Sequence, residues 1–144
     1  MPNCYFLTVC GGSAVDQHTN NVSLFNLVEQ INVRPQAGPP PNGLLPLEIH
    51  AYWRLTHSEQ GKEFETRFVL VADTGLETPS STFRHRPVTG RFRTRTVGVP
   101  YPPVFGEYSL HVDSRSNEDE PWERSALRWP LSIRVIEPKP TTTH

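Results

Sequence analysis

The stretch PPVFGEYSLHVD (residues 102–113) decides the fold. From Glu107 onward, Tyr108, Leu110 and Val112 alternate with Glu107, Ser109, His111 and Asp113, the period-two pattern of a half-buried strand. Gly106 stands two residues before Tyr108. In two-layer β proteins a tyrosine near the start of a late strand turns its hydroxyl back to the backbone of the preceding connection, and a glycine beside it permits a tight crossing between sheets. Gly106 and Tyr108 therefore read as a fold-stabilising corner, not as catalytic groups.

The same alternation recurs outward from this strand. Ile49, Ala51, Trp53 and Leu55 share one face within residues 46–57, and Phe64, Phe68, Leu70 and Ala72 share one within residues 62–73. Trp129, Leu131, Ile133 and Val135 repeat the pattern in residues 129–137. Further strands are expected over residues 4–10, 82–86 and 91–99. THSEQGK (residues 56–62) carries the glycine of a short hairpin loop, so the strands on either side of it should pair antiparallel. NVSLFNLVEQINV (residues 21–33) fits both a helix and a strand, and reads as a strand entering a bend with one helical turn. RPQAGPPPNG (residues 34–43) reads as a proline-rich spacer. With 15 prolines and no long helical period, the expectation is all-β: a single two-layer antiparallel β-sandwich of Greek-key, immunoglobulin-like type. About seven or eight strands would fill residues 4–137, with 138–144 a flexible tail.

The chain's 144 residues suit one domain with a sizeable core. Lys+Arg 14 against Asp+Glu 15 leaves a net charge of -1, so no global field steers it to nucleic acid or to an acidic membrane. The opening residues lack a basic region and a sustained apolar run, so neither a signal peptide nor a membrane span is expected, and a cytoplasmic location follows. Cys4 and Cys10 lie in one strand, an even number of positions apart. At about 3.3 Å per residue they stand roughly 20 Å from each other, beyond the reach of a disulfide, and they lack the close pairing of a zinc site.

SLFNLVEQINV (residues 23–33), LPLEIHAYWRLTHSEQGKEFETRFVLVADTG (residues 45–75) and VFGEYSLHVD (residues 104–113) together resemble a family of small bacterial all-β proteins, domain of unknown function 6941. The motifs are a strand-opening Ser23-Leu24, the turn Asp73-Thr74-Gly75 and the G-x-Y-x-L-x-V-D strand from Gly106 to Asp113. The resemblance spans residues 4–137 and implies a compact β-sandwich in a bacterial, cytoplasmic setting. It carries no assigned activity and no catalytic residues.

Two surface features carry chemistry. Residues 78–106 hold Arg84, Arg86, Arg91, Arg93 and Arg95 with no Asp or Glu, and in GRFRTRTV (residues 90–97) the last three alternate into one stripe opposite Phe92, Thr94 and Thr96. Planar guanidinium groups in a row suit phosphate or carboxylate recognition, or else use charge to protect an edge strand. VDSRSNEDEPWERS (residues 112–125) is the acidic counterpart, with Asp113, Glu118, Asp119, Glu120 and Glu123, which could bind calcium if Asp16 or Asp73 lay at the same end. Basic and acidic segments together also allow head-to-tail self-association.

The chain lacks a G-x-S-x-G elbow, a P-loop, a dinucleotide fingerprint and an H-E-x-x-H helix. His50 and His111 fall on outward strand faces, and His57 and His85 at strand ends or in loops. The expectation is a non-catalytic binding module with no cofactor, no metal and no membrane contact. Its partner would be another protein of a bacterial multi-component system, and nucleic acid is not expected. The alternatives are an anion- or nucleic-acid-associated domain working through the stripe of Arg91, Arg93 and Arg95, and a calcium-dependent module built on the 113–123 acidic loop.

Overall fold

A computed structural model describes residues 1–33 and 43–135. Among the described residues ten strands run in chain order: β1 (Asn3–Val15), β2 (Val22–Leu27), β3 (Gln30–Val33), β4 (Glu48–Arg54), β5 (Phe64–Ala72), β6 (Glu77–Pro79), β7 (Phe83–His85), β8 (Arg91–Val97), β9 (Gly106–Arg115) and β10 (Glu123–Val135). Among the described residues the only helical element is a single 3-10 turn, His57–Glu59. The proline-rich spacer and the C-terminal tail lie outside the described residues, apart from Gly43.

The chain is all-β and forms two sheets. The first has the order β2-β1-β4-β8; the second has the order β3-β10-β9-β5-β6, with β7 also on the outer edge of β5. The strand count exceeds the seven or eight expected because residues 21–33 give two strands instead of one, and because the short β6 escapes periodicity analysis. No helical turn forms in residues 21–33. The chain leaves the first sheet at Leu27 and enters the second at Gln30, and Val28 anchors the crossing: its N–H donates to Val9 O at 2.8 Å and its carbonyl accepts from Trp129 Nε1 at 2.7 Å. β3 then pairs with β10 in parallel, so the second sheet is mixed, not antiparallel throughout. No hairpin joins these two strands, and nothing local sets their relative direction.

The expected β4–β5 hairpin is also corrected. β4 lies in the first sheet and β5 in the second. The link between them holds the 3-10 turn, capped by Glu59, whose Oε1 accepts from Thr56 N at 2.7 Å and from Thr56 Oγ1 at 2.9 Å. Alternating apolar residues say that a strand buries one face. They do not say whether two such strands lie side by side or face to face, and here Trp53 of β4 meets Phe64 of β5 edge-on with ring centroids 5.5 Å apart.

One hydrophobic cluster draws on both sheets: Leu7 and Val9 of β1, Ile49, Ala51 and Trp53 of β4, Phe64, Phe68 and Leu70 of β5, Tyr108, Leu110 and Val112 of β9, and Leu131 and Ile133 of β10. The faces on β4, β5, β9 and β10 are those expected from the alternation, except that Val135, expected on the same face as Leu131 and Ile133, is exposed. At roughly 1.5–3 kcal/mol for each fully buried large side chain, this cluster is the main source of stability.

The corner forms as expected. Tyr108 Oη donates to the carbonyl of Val104, and Gly106 takes φ 155, a conformation that residues with a Cβ rarely adopt. Gly98 is held more tightly: its φ is 82, and a Cβ there would lie 2.9 Å from Leu44 Cβ.

Candidate functional site

β8 is an edge strand. It pairs with β4 on one side and, among the described residues, with nothing on the other. Phe92 packs against the core, so its alternating neighbours Arg91, Arg93 and Arg95 face away from it, as the sequence predicts. The register sets Arg91 opposite Arg54, Arg93 opposite Tyr52 and Arg95 opposite His50. Like charges directly across an antiparallel pair repel, so the Arg54–Arg91 juxtaposition carries a cost in stability.

Aromatic rings lie beside the stripe. A register shift in β1 between Cys4 and Phe6 leaves Tyr5 and Phe6 both exposed, and Phe6 packs on Tyr52 at 4.9 Å. Arg93 lies 5.8 Å over the Tyr52 ring and Arg54 5.5 Å over Tyr5. Among the described residues, Arg54, Arg91 and Arg93 have no carboxylate partner.

The other sequence-predicted arginines are neutralised. Arg84 and Arg86 sit on and beside β7 in the second sheet, where Arg84 Nε lies 3.3 Å from Glu65 and Arg86 Nη2 lies 3.5 Å from Glu63. The structure therefore does not bring them into the β8 stripe. Arg95 pairs with Glu48 of β4.

Between the β8 edge and the β6–β7 edge opens a cleft of about 670 Å³, with Phe68, Phe83 and Pro100 on its walls and Thr94 and Thr96 of β8 facing into it. His85 lines it too, its Nε2 2.8 Å from Thr66 Oγ1, and burial pushes its pKa below the ordinary value.

On the face of the first sheet turned away from the core lies a buried polar cluster that the sequence did not announce. Glu48 and His50 are two apart on β4 and so project together, and Cys10 of β1 is the direct cross-strand partner of Glu48. All three are buried, and Cys10 Sγ, a Glu48 carboxylate oxygen and a His50 ring nitrogen lie within 4.8 Å of one another. Ser13 Oγ donates to Glu48 Oε1 at 3.0 Å, and the Cys10 thiol donates to Gly12 O at 3.3 Å. Among the described residues His50 Nε2 has no hydrogen-bond partner, and Glu48 Oε1 is 3.8 Å away.

Burial lowers the His50 pKa, more than the Glu48 charge raises it, and keeps the imidazole neutral. Burial also raises the Cys10 pKa. For Glu48 burial pushes upward, but the hydrogen bonds from Arg95 and Ser13 and the Arg95 charge outweigh it and hold the carboxyl below its ordinary value. His50 is thus on the outward face as expected, but it is not at the surface.

The acidic segment is dispersed. Asp113 belongs to β9, is buried, and accepts from Arg67 Nε and Arg124 Nε, both at 2.9 Å. Glu65 binds Arg115 Nε at 2.9 Å, and the Trp122 ring lies over both Arg115 (3.9 Å) and Arg67 (4.6 Å). Asp73 follows the end of β5 that pairs with Tyr108, whereas the acidic loop adjoins the Glu65–Arg115 end, so the two do not meet. Asp16 spends its Oδ1 on the N–H groups of His18 and Thr19. Among the described residues, only Cys10, Glu48 and His50 form a metal-competent group.

No family model matches the chain, and no curated protein matches it.

Proposed function

We propose that the chain is a Greek-key, immunoglobulin-like sandwich acting as a non-catalytic binding module. It takes an extended, acidic segment of a partner protein along β8. The observation that carries the reading is the edge of β8, unpaired among the described residues, with Arg91 and Arg93 lacking carboxylate partners there on one side and the cleft on the other. A segment added to this edge would exchange main-chain hydrogen bonds with β8 and alternate its own side chains. Every second residue would meet the arginines, where carboxylates make charge-assisted and bidentate bonds, and the residues between would enter the cleft. Exposed Tyr5 and Phe6 and half-buried Tyr52 lie beside the arginines, and tyrosine and arginine are among the residue types that dominate binding energy at protein interfaces.

A peptide alternating glutamate and valine tests this, against a peptide of the same composition in blocks. The alternating peptide should bind and perturb the β8 amide resonances, and Arg93→Glu should weaken it at least tenfold. Equal binding of the two peptides, or undiminished binding to the variant, would refute the reading. A second reading rests on the same aromatic and arginine pairing, which also suits stacking and backbone contact with a single-stranded nucleic acid.

A further inference from the structure

We infer that Cys10, Glu48 and His50 form a binding site for a divalent transition metal of the zinc type, on the face of the first sheet turned away from the core. Antiparallel pairing of β1 and β4 gathers the three donors: Cys10 stands directly across from Glu48, and His50 projects from the same side of β4 two residues on. Their donor atoms already lie within 4.8 Å of one another, so small side-chain rotations bring them to bond distances of about 2.0–2.3 Å around one ion.

The second observation is His50 Nε2. It is a buried nitrogen without a hydrogen-bond partner among the described residues, on a residue only 3% exposed, 3.8 Å from the Glu48 carboxylate. Leaving such an atom unpaired is costly in a buried site, and a metal ion removes that cost.

The donor set selects the metal class. Thiolate and imidazole are ligands for zinc and its neighbours, and one carboxylate among them does not suit calcium or magnesium, which want oxygen throughout. Arg95 and Ser13 hold Glu48 from outside the triad, the place taken by the second-layer partners that orient metal ligands. On binding, the Cys10 S–H bond breaks, a sulfur–metal bond forms, and the proton leaves to solvent. Three protein ligands leave a fourth tetrahedral position for water.

Cobalt(II) is the probe. Titration into the metal-free protein should give a thiolate-to-cobalt charge-transfer band and intense visible tetrahedral bands saturating at one equivalent, with zinc(II) displacing them. The charge-transfer band should vanish in Cys10→Ser and persist in Cys4→Ser, while His50→Gln should weaken cobalt binding at least tenfold. Circular dichroism of each metal-free variant checks that it folds. If a variant fails to fold, proton release is read on the wild-type chain, where zinc(II) should liberate about one proton. Absence of the bands in folded wild-type protein, or their survival in folded Cys10→Ser, would overturn the assignment.

Discussion

Arg95 reaches diagonally from β8 to Glu48 on β4, although the register places it opposite His50. The Glu48 side chain is 7% exposed and the Arg95 side chain 57%. Removing the arginine therefore strands a buried carboxylate and removes little packing. Arg91, two residues back, faces Arg54 and, among the described residues, has no carboxylate partner. The two ends of one stripe should respond oppositely to alanine.

Breaking a fully buried pair costs roughly 3–5 kcal/mol, and the exposure of Arg95 reduces this, so Arg95→Ala should destabilise by about 2 kcal/mol. Arg91→Ala should be neutral or slightly stabilising, because it relieves cross-strand repulsion. Urea unfolding of both variants checks this. A loss at Arg91 equal to that at Arg95 would contradict the charge assignment.

Tyr108→Phe should cost about 1 kcal/mol, the net worth of one hydrogen bond, because it deletes the Oη donor to Val104 and keeps the ring in the core. Peptide binding at β8 should not change. Unaltered stability would count against the corner as a stabilising device.

Stability should fall as the pH drops below about 6.5, the ordinary histidine value. His85 and His111 both have lowered pKa values; burial is the first cause in each, reinforced at His111 by the charges of Arg124 and Arg128 against those of Asp113 and Glu77. In that window the unfolded chain takes up protons that the folded chain refuses, at up to about 1.4 kcal/mol per pH unit for each group. Glu48 and Glu59, whose pKa values are lowered, add their loss only below about 4.3. His85→Gln should lessen the fall in melting temperature as pH drops from about 6.5 to about 4.3. Superimposable wild-type and variant profiles would show that His85 is not buried neutral.

Cys4 and Cys10 should both resist a thiol reagent in the folded, metal-free protein and both react on unfolding without reductant. Burial pushes the Cys4 thiol up to about 11 and raises Cys10 as well, so little thiolate exists at neutral pH. A Cys4–Cys10 disulfide would be incompatible with the β1 strand that carries both.

What was legible in the chain follows from the range of the interactions involved. Trp53, Phe68, Leu110 and Ile133 are found by period two because burial of one strand face is a local property. The sheet to which each strand belongs is not local: β4 and β5 show the same pattern whether paired or opposed. The β1 register shift turns Cys4 into the core and Cys10 to the other face, although their even spacing suggests one side. The arginine stripe is visible as a spacing, yet Glu48, which neutralises Arg95, is distant in sequence. Glu48-x-His50 on one strand was the available signal for the polar cluster, and it acquires meaning only once β1 sets Cys10 beside it.

Salt dependence separates the two partners that β8 could take. Arg91, Arg93 and Arg95 alternate along the strand at roughly 6.6 Å, close to the spacing of phosphates on an extended single strand. Arg95 is held by Glu48, so at most Arg54, Arg91 and Arg93 are available to phosphates without breaking an ion pair. Three contacts at about 0.7 each give a salt slope of about -2, too shallow to supply much affinity, and the chain's net charge of -1 adds no attraction. A single-stranded oligonucleotide should therefore show no measurable binding at about 150 mM salt, close to physiological ionic strength. The alternating glutamate–valine peptide should persist there, because main-chain pairing and cleft burial are insensitive to screening. Fluorescence anisotropy over a salt series decides the matter. Sub-micromolar oligonucleotide binding at that salt, abolished by Arg93→Glu, would transfer the stripe from a protein partner to nucleic acid.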